Sequence, residues 1–229
     1  MYKYETHLHT APVSRCGRCS PEENVAFYAS LGYDGIFITN HFLNANIGIE
    51  KTRPYAEKIE FFFSDYENAL PLSEKYGIKI FCGVEASYKG AHFLVYGLEK
   101  QWWLDHPEIM DMEMTDQLTL MAESGALIIH AHPFQEASYI NHIRLFPRHV
   151  HGVEVINASK DDAQDAMALL YCEHYGLVKF AGSDNHCAGG QKKLAGVCCE
   201  EPIADMADFI AKAKAGKMEL FTLNIPEDE

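Results

Sequence analysis

The chain has 229 residues, of which 48% are hydrophobic and 23% are charged, a composition typical of a globular protein and not of a disordered or fibrous one. Its 19 lysines and arginines against 33 aspartates and glutamates give a formal net charge of −14, which argues against binding to duplex nucleic acid because that needs a basic face. The N-terminus lacks a secretory signal pattern, no apolar run reaches membrane-spanning length, and seven cysteines are an odd number, so we expect a cytoplasmic protein with reduced thiols and no membrane contact.

Strand-like runs alternate with helix-like stretches along the whole chain. The first helix begins with Ser20 as N-cap, Pro21 at the first helical position and Glu23 completing a capping box, and Gly32 is its stop signal. The predicted strands cover residues 2–7, 35–40, 78–85, 92–97, 126–130, 152–157, 178–182, 195–199 and 219–223. The predicted helices cover residues 21–31, 54–76, 115–124, 161–175 and 204–215.

This alternation predicts one α/β domain over residues 1–229 with a mostly parallel sheet. The number of strand–helix units favours a closed or nearly closed barrel over an open sheet. An open doubly wound sheet remains the alternative, but no glycine-rich phosphate-binding fingerprint follows the first strand. We therefore expect a barrel.

Residue types that bind metal ions follow several of these strands. They are His7 and His9, then His41, Glu85, His130 and His132, and finally Asp184 and His186. The carboxyl ends of barrel strands are where such folds assemble their active sites. A single histidine there is more often structural, whereas the joint pattern is difficult to explain by coincidence.

The spacing of these residues has a geometric reason. Residues two apart on an extended segment point the same way, so His7 and His9 can reach one ion and Asp184 and His186 can reach neighbouring positions. Imidazole with carboxylate suits zinc, iron(II) or manganese, and Glu85 could bridge two ions through its two oxygens. Two ions about 3.5–4 Å apart form a hydrolytic centre.

The ordered motifs resemble those of the PHP (polymerase and histidinol phosphatase) family of metal-dependent phosphoesterases. They are His7-Leu8-His9-Thr10, Ile38-Thr39-Asn40-His41, Gly83-Val84-Glu85, His130-Ala131-His132-Pro133 and Gly182-Ser183-Asp184-Asn185-His186. The resemblance extends over residues 2–186 in the family's order. It implies a distorted (β/α)7 barrel with two or three divalent ions at the carboxyl ends of its strands.

The resemblance also implies a set of ligands. His7, His9, Glu85 and Asp184 would hold a first ion, and Glu85 and His132 a second. His92 is either a further ligand of the second ion or an ordinary strand residue, while His41 and His186 would face a third ion. His130 is expected to turn away from His132 into a core or supporting role, because neighbouring strand positions alternate.

Cys16 departs from the family pattern, because members commonly carry aspartate or histidine there for the third ion. Either Cys16 is a thiolate ligand that favours zinc, or the third ion is absent or weakly held. The spacing to Cys19 also permits a disulfide or redox-active pair, whose oxidation would disable the third position. Two ordinary thiols are the remaining alternative.

The expected activity is hydrolysis of a small phosphate monoester by a metal-bridged hydroxide, with histidinol phosphate as the substrate suggested by the family. Asp184 or His186 would assist proton transfer. Arg15 and Arg18 lie beside the expected site and either bind the substrate phosphate or are solvated loop charges. Nucleotide phosphates, a metal-dependent hydrolase of C–N or C–O bonds, and a non-catalytic metal-binding module remain alternatives. The metal and the oligomeric state are not predicted.

Overall fold

A computed structural model describes residues 1–226, and in these residues nine strands form one sheet in the order β7-β6-β5-β4-β3-β2-β1-β8-β9. The strands are β1 (Tyr2–Leu8), β2 (Gly35–Ile38), β3 (Lys79–Tyr88), β4 (Ala91–Tyr96), β5 (Leu127–Ala131), β6 (Gly152–Asn157), β7 (Val178–Gly182), β8 (Lys193–Cys199) and β9 (Glu219–Asn224). All nine predicted strands are present, with bounds shifted by a few residues.

The helices are α1 (Pro21–Ser30), α2 (Tyr55–Ala69), α3 (Leu72–Tyr76), α4 (Lys100–Asp105), α5 (Met114–Glu123), α6 (Asp162–Tyr175) and α7 (Met206–Lys214), with a 3₁₀ helix at Pro107–Asp111. The capping box is confirmed, since the Ser20 hydroxyl accepts from the Glu23 amide and the Glu23 carboxylate accepts from the Ser20 amide. The helical stretch predicted over residues 54–76 is two helices, because Pro71 has no amide hydrogen to donate within one continuous helix. Among the described residues, none of the helices is both long and apolar enough to cross a membrane.

The sheet is mixed, so the prediction of a mostly parallel sheet is wrong. Among the strand pairs of the described residues, four of eight are antiparallel. Lys89 and Gly90 join β3 to β4 with φ angles of 48° and 91°, the backbone of a two-residue hairpin turn, which only an antiparallel pair can have. This reversal brings the beginning of β4 to the same end of the barrel as the carboxyl end of β3.

The sheet curls into a nearly closed barrel in which the end of β1 meets the segment after β7. The His9 amide donates to the Asn185 carbonyl at 2.9 Å, and the Asn185 amide donates to the His7 carbonyl at 3.2 Å. The Thr6 hydroxyl donates to the Ala181 carbonyl. The predicted α/β barrel is therefore confirmed, and its closure brings the two segments with the largest number of predicted ligands side by side.

Buried aromatic side chains fill the end of the barrel opposite to these ligand segments, and we call this region the aromatic end. They are Phe37, Phe81, Tyr96, Phe180 and Phe209. Phe209 of α7 is central, with ring centroids 4.2 Å from Phe37 and 5.2 Å from Tyr96. Burying a large aromatic side chain stabilises a fold by about 1.5–3 kcal/mol, so this end holds α7 across the barrel.

Candidate metal centre

The predicted ligand side chains come together at one end of the barrel, where the carboxyl ends of β1, β3, β5 and β7 meet. His7, His9, His41, Glu85, His132 and Asp184 are buried there, and His92 and His186 are partly buried. In the part of the chain that the structure describes, three overlapping groups of these residues have their ligand atoms within 4.8 Å of one another.

The first group is His7, His9 and Asp184. The Nε2 atoms of His7 and His9 lie 3.3 Å apart, and they lie 3.5 and 3.3 Å from Oδ1 of Asp184. Burial and the neighbouring His41 hold the pKa of His9 well below its ordinary value, so its ring is neutral and keeps a lone pair. Burial would lower the pKa of His7, but the charges of Glu154 and Asp184 hold it well above its ordinary value. The lone pair of His9 and the carboxylate of Asp184 converge on one point, where the surrounding negative charge favours a cation.

The second group is His7, Glu85 and His132, with Glu85 at its centre. Oε1 of Glu85 lies 2.8 Å from Nδ1 of His92, 3.3 Å from Nε2 of His132 and 3.4 Å from Nε2 of His7. Oε2 lies 3.6 Å from Nε2 of His9 and also contacts His41. Burial would raise the pKa of Glu85, but its electrostatic interactions with His41 and His92 hold it well below its ordinary value.

The third group is His9, His41 and His186. The ring centroids of His41 and His186 lie 4.3 and 4.4 Å from that of His9. Burial opposes ionisation of the Cys16 thiol, but hydrogen bonds with His186 and His41 lower its pKa to about 6. Cys16 thus faces this group as a thiolate, and imidazoles with a thiolate suit zinc.

Two features of the cluster support cation binding. Oε2 of Glu85 is buried and its neighbours are the imidazoles of His9 and His41, so a carboxylate oxygen points into the cluster. His132 and Asp184 have φ angles of 26° and 51°, in the left-handed region that side chains with a β-carbon rarely adopt. Such backbone strain concentrates at functional sites. The donor set and its surroundings fit divalent cations.

Glu154 of β6 supports this cluster, although it lies in none of the sequence motifs. Its Oε1 lies 2.9 Å from Nδ1 of His7, and its Oε2 accepts from the backbone amide of His132 at 3.0 Å and from the side chain of Asn157 at 2.7 Å. A hydrogen bond from Nδ1 directs the lone pair of a neutral imidazole to Nε2, the atom that faces the cluster. The available signal was a charged residue inside the apolar strand Gly152–Asn157, because a buried carboxylate requires partners.

The turn after β6 holds Asp184. The Ser159 hydroxyl and the Lys160 ammonium lie 2.9 and 3.0 Å from Oδ2 of Asp184. The Ser159 hydroxyl also lies 2.8 Å from Oδ1 of Asn157, so its one hydrogen is shared between the two acceptors. Oδ1 of Asp184 remains directed towards the histidines. Lys160 lies in none of the sequence motifs, since only the folded chain brings it to Asp184.

Glu5 connects the two strands where the barrel closes. Its Oε1 accepts from the amides of His7 and Ser183 at 2.9 and 3.0 Å, and its Oε2 accepts from the Tyr28 hydroxyl at 2.9 Å. Burial raises the pKa of Glu5 to about 7, against these hydrogen bonds. Each of the amides that it holds belongs to a ligand-bearing segment.

His130 turns away from the cluster, as expected. Its ring stacks on Phe93 with centroids 5.0 Å apart. Burial lowers the pKa of His130 to about 3, so the ring is neutral and packs as part of the core.

A cavity of about 990 Å³ opens above the cluster. Cationic side chains lie along its wall, namely Arg15, Arg18, Lys89 and Lys160. They contrast with the net charge of −14 of the whole chain. Arg15 and Arg18 thus reach the cavity, and their binding of phosphate stays a prediction.

Comparison with known proteins gives the fold of the chain. No protein-family model matches the sequence, and no curated protein matches it. The structure is similar to a two-domain protein from Bacteroides vulgatus that contains a predicted PHP-like metal-dependent phosphoesterase, with 19% identity and a TM-score of 0.70 over 96% of this chain. The match spans 64% of that protein, which is less than two thirds of its length.

Two further solved structures share the architecture. PsfC from Pseudomonas syringae matches with a TM-score of 0.64 and 17% identity, over 98% of this chain and 93% of PsfC. An amidohydrolase from Chromobacterium violaceum, with bound sulfate and no metal, matches with a TM-score of 0.52 and 12% identity, over 82% of this chain and 89% of that one. The fold is thus that of the PHP-like proteins, and identities this low establish the fold and not the activity.

Proposed function

We propose that the chain is a metal-dependent phosphoesterase that hydrolyses a small phosphate monoester. The observation that carries this proposal is the buried pair Glu85 and Asp184, surrounded by imidazoles at the floor of a cavity with a cationic wall. Acidic and imidazole ligands would hold divalent cations, and the arginines and lysines would hold an anionic substrate. A phosphate monoester is a substrate that needs both.

The proposed ligand roles follow the three groups. His7, His9, Glu85 and Asp184 hold one cation, and Glu85, His132 and His92 hold a second. Cys16, His41 and His186 hold a third, with zinc, iron or manganese as the candidate metals. Bound divalent cations supply Lewis-acid activation of the phosphoryl group and of water.

The side chains of the cavity provide binding and proton transfer. Arg15 and Arg18 bind the phosphate oxygens from the wall, and Lys160 binds them from beside Asp184. Nδ1 of His186 hydrogen-bonds with the Asp184 carbonyl at 2.9 Å, so Nε2 either binds the third cation or, when that position holds no ion, exchanges a proton with the substrate. Asp184 assists by accepting a proton, in so far as ligand binding leaves it free to do so.

The activity is tested with purified protein loaded separately with zinc, manganese or iron(II). Metal per chain is measured together with phosphate release from p-nitrophenyl phosphate, histidinol phosphate, sugar phosphates and nucleotides. We expect release with at least one metal and its loss in Asp184→Ala. Full metal content without phosphate release from any of these substrates would overturn the proposal.

Hydrolysis of C–N bonds is the second candidate, because a structural neighbour is named an amidohydrolase. An amide panel, run with the same metal-loaded samples, separates the two activities. Phosphate release without amide cleavage supports the phosphoesterase, and the reverse result supports the amidohydrolase. Absence of both, with metal bound, would indicate a non-catalytic metal-binding module.

Two further expectations remain predictions. We propose one domain over residues 1–229, of which the last three lie outside the described residues. We also propose a cytoplasmic location, which fractionation of the cells that produce the protein would test.

A further inference from the structure

Two cysteines from distant parts of the chain meet beside the cavity, whose lining includes Cys187. The Sγ atoms of Cys19 and Cys187 lie 3.4 Å apart, and both side chains are partly buried. Cys19 immediately precedes the N-cap of α1, and Cys187 immediately follows His186. The sequence spacing suggested Cys16 as the partner of Cys19, but the Cys16 thiol instead faces His186 and His41.

The backbone already holds these two segments together. The Arg18 amide donates to the His186 carbonyl at 2.8 Å, one residue before each cysteine. The Cys19 carbonyl accepts from the Ala11 amide at 2.9 Å, and the Cys187 amide donates to Oδ1 of Asn185 at 3.0 Å. A disulfide has its sulfurs about 2.05 Å apart, so the two Sγ atoms, now 3.4 Å apart, must approach each other by roughly 1.4 Å to form the bond.

The pair lies outside the three groups of ligand side chains described above. Within residues 1–226, neither Cys19 nor Cys187 belongs to a group of three or more side chains able to hold an ion. A structural zinc site takes four protein ligands, and a catalytic one takes three. Two thiols in contact, without further ligands, are suited to oxidation with each other.

We propose that Cys19 and Cys187 are a modification site that forms a reversible disulfide with a low-molecular-weight disulfide such as glutathione disulfide as the oxidant. One thiol attacks glutathione disulfide, which releases one glutathione and leaves a mixed disulfide. The second thiol then displaces the bound glutathione and closes the protein disulfide. The two thiol hydrogens end on the two released glutathione molecules, so atoms and electrons balance.

The bond would join the two loops that border the cavity. One carries Arg15, Cys16 and Arg18, and the other carries Asp184 and His186. Because Cys16 is not consumed, its position beside His41 and His186 is retained after oxidation. Cross-linking residues 168 positions apart also restricts the unfolded chain, so the oxidised protein should unfold at a higher temperature.

The test uses the full-length, zinc-loaded protein incubated with glutathione disulfide. Free thiols are then blocked with N-ethylmaleimide in denaturant, and peptides are mapped by mass spectrometry without reduction. We expect a linked Cys19–Cys187 peptide, with Cys16 alkylated, and a higher Tm that reverts on addition of dithiothreitol. An unlinked pair, a link that includes Cys16, or a stable glutathione adduct on Cys19 would overturn the proposal.

Matched variants distinguish a Cys19–Cys187 disulfide from oxidation of other thiols in the chain. Cys19→Ser and Cys187→Ser should each lose the increase in Tm caused by glutathione disulfide, whereas Cys16→Ser should keep both the linked peptide and the increase. An oxidant-dependent increase that persists in Cys19→Ser would contradict the proposal. The peptide map of the unmodified chain decides the question even where a variant folds poorly.

Discussion

The two ends of the barrel interior are built from the same strands but have opposite chemistry. On β3, Phe81 lies at the aromatic end and Glu85 at the metal centre; on β4, these places are taken by Tyr96 and His92. Each pair is four residues apart, so the alternation of a strand puts both members on one face. Along the inward face of each strand, an aromatic core side chain is therefore followed, four positions away, by a candidate metal ligand.

The aromatic end contributes stability to the fold, whereas the ligand end carries the groups for chemistry. The aromatic end needs no bound ion or ligand, because its buried rings pack against one another. The ligand end buries the carboxylates of Glu85 and Asp184 together with several imidazoles, an arrangement that is costly without compensating charge. Substitutions at the two ends should therefore have different consequences, and this contrast can be tested.

The largest effect is expected from Asp184→Ala at the ligand end. Loss of a carboxylate that faces His7 and His9 should lower metal content and reduce phosphate release by roughly a thousandfold, since Lewis-acid stabilisation contributes several kcal/mol. Elemental analysis and a phosphatase assay measure both. Asp116→Ala, an exposed carboxylate on α5, is the matched control and should keep both values.

Phe209→Ala at the aromatic end should have the converse result. Truncating this buried ring should cost about 3–5 kcal/mol of unfolding free energy, because the surrounding rings cannot fill the cavity. Urea unfolding measures the loss, and Phe209→Leu should lose less. If the folded fraction of Phe209→Ala binds less metal than the unmodified chain, the two ends are not independent.

Glu154→Gln should have an intermediate effect. Glutamine keeps the size and an acceptor for the His132 amide but removes the charge beside Nδ1 of His7, so zinc affinity should fall roughly 10–100-fold. Competition with a chelator measures the affinity. Recovery in Glu154→Asp would support an electrostatic role, and unchanged affinity in Glu154→Gln would exclude it.

The smallest effect is expected in the reactivity of two thiols, Cys16 beside the metal-ligand cluster and Cys172 in the hydrophobic core. The pKa of Cys16 is lowered to about 6, whereas burial raises that of Cys172 to about 11. Above pH 6 most Cys16 is thiolate, so in metal-free protein at pH 7 it should react with iodoacetamide roughly tenfold faster than an ordinary thiol. The rate should fall as the pH drops through about 6, and mass spectrometry follows it. A midpoint near 9 would show that His41 and His186 do not act on Cys16.

Sequence patterns predicted what depends on local order. Capping at Ser20, the ligand types after the strands and the inward turn of His132 relative to His130 all follow from spacing along one segment. The contacts of Glu154 with His7 and of Lys160 with Asp184 depend on which strands become neighbours. The Cys19–Cys187 contact likewise arises only when β7 closes against β1. Such pairings are set by the packing of the whole barrel, so single-segment patterns do not contain them.

The turn formed by Lys89 and Gly90 has a consequence for how this centre can vary. Because β4 runs antiparallel to β3, its proposed ligand His92 lies near the start of the strand, and its position is set by the two-residue turn and not by a long loop. Inserting one residue there would exchange the two faces of β4, turning His92 outward and the side chain beside it inward. The number of cations that we propose for the barrel would then depend on the length of the connection between β3 and β4.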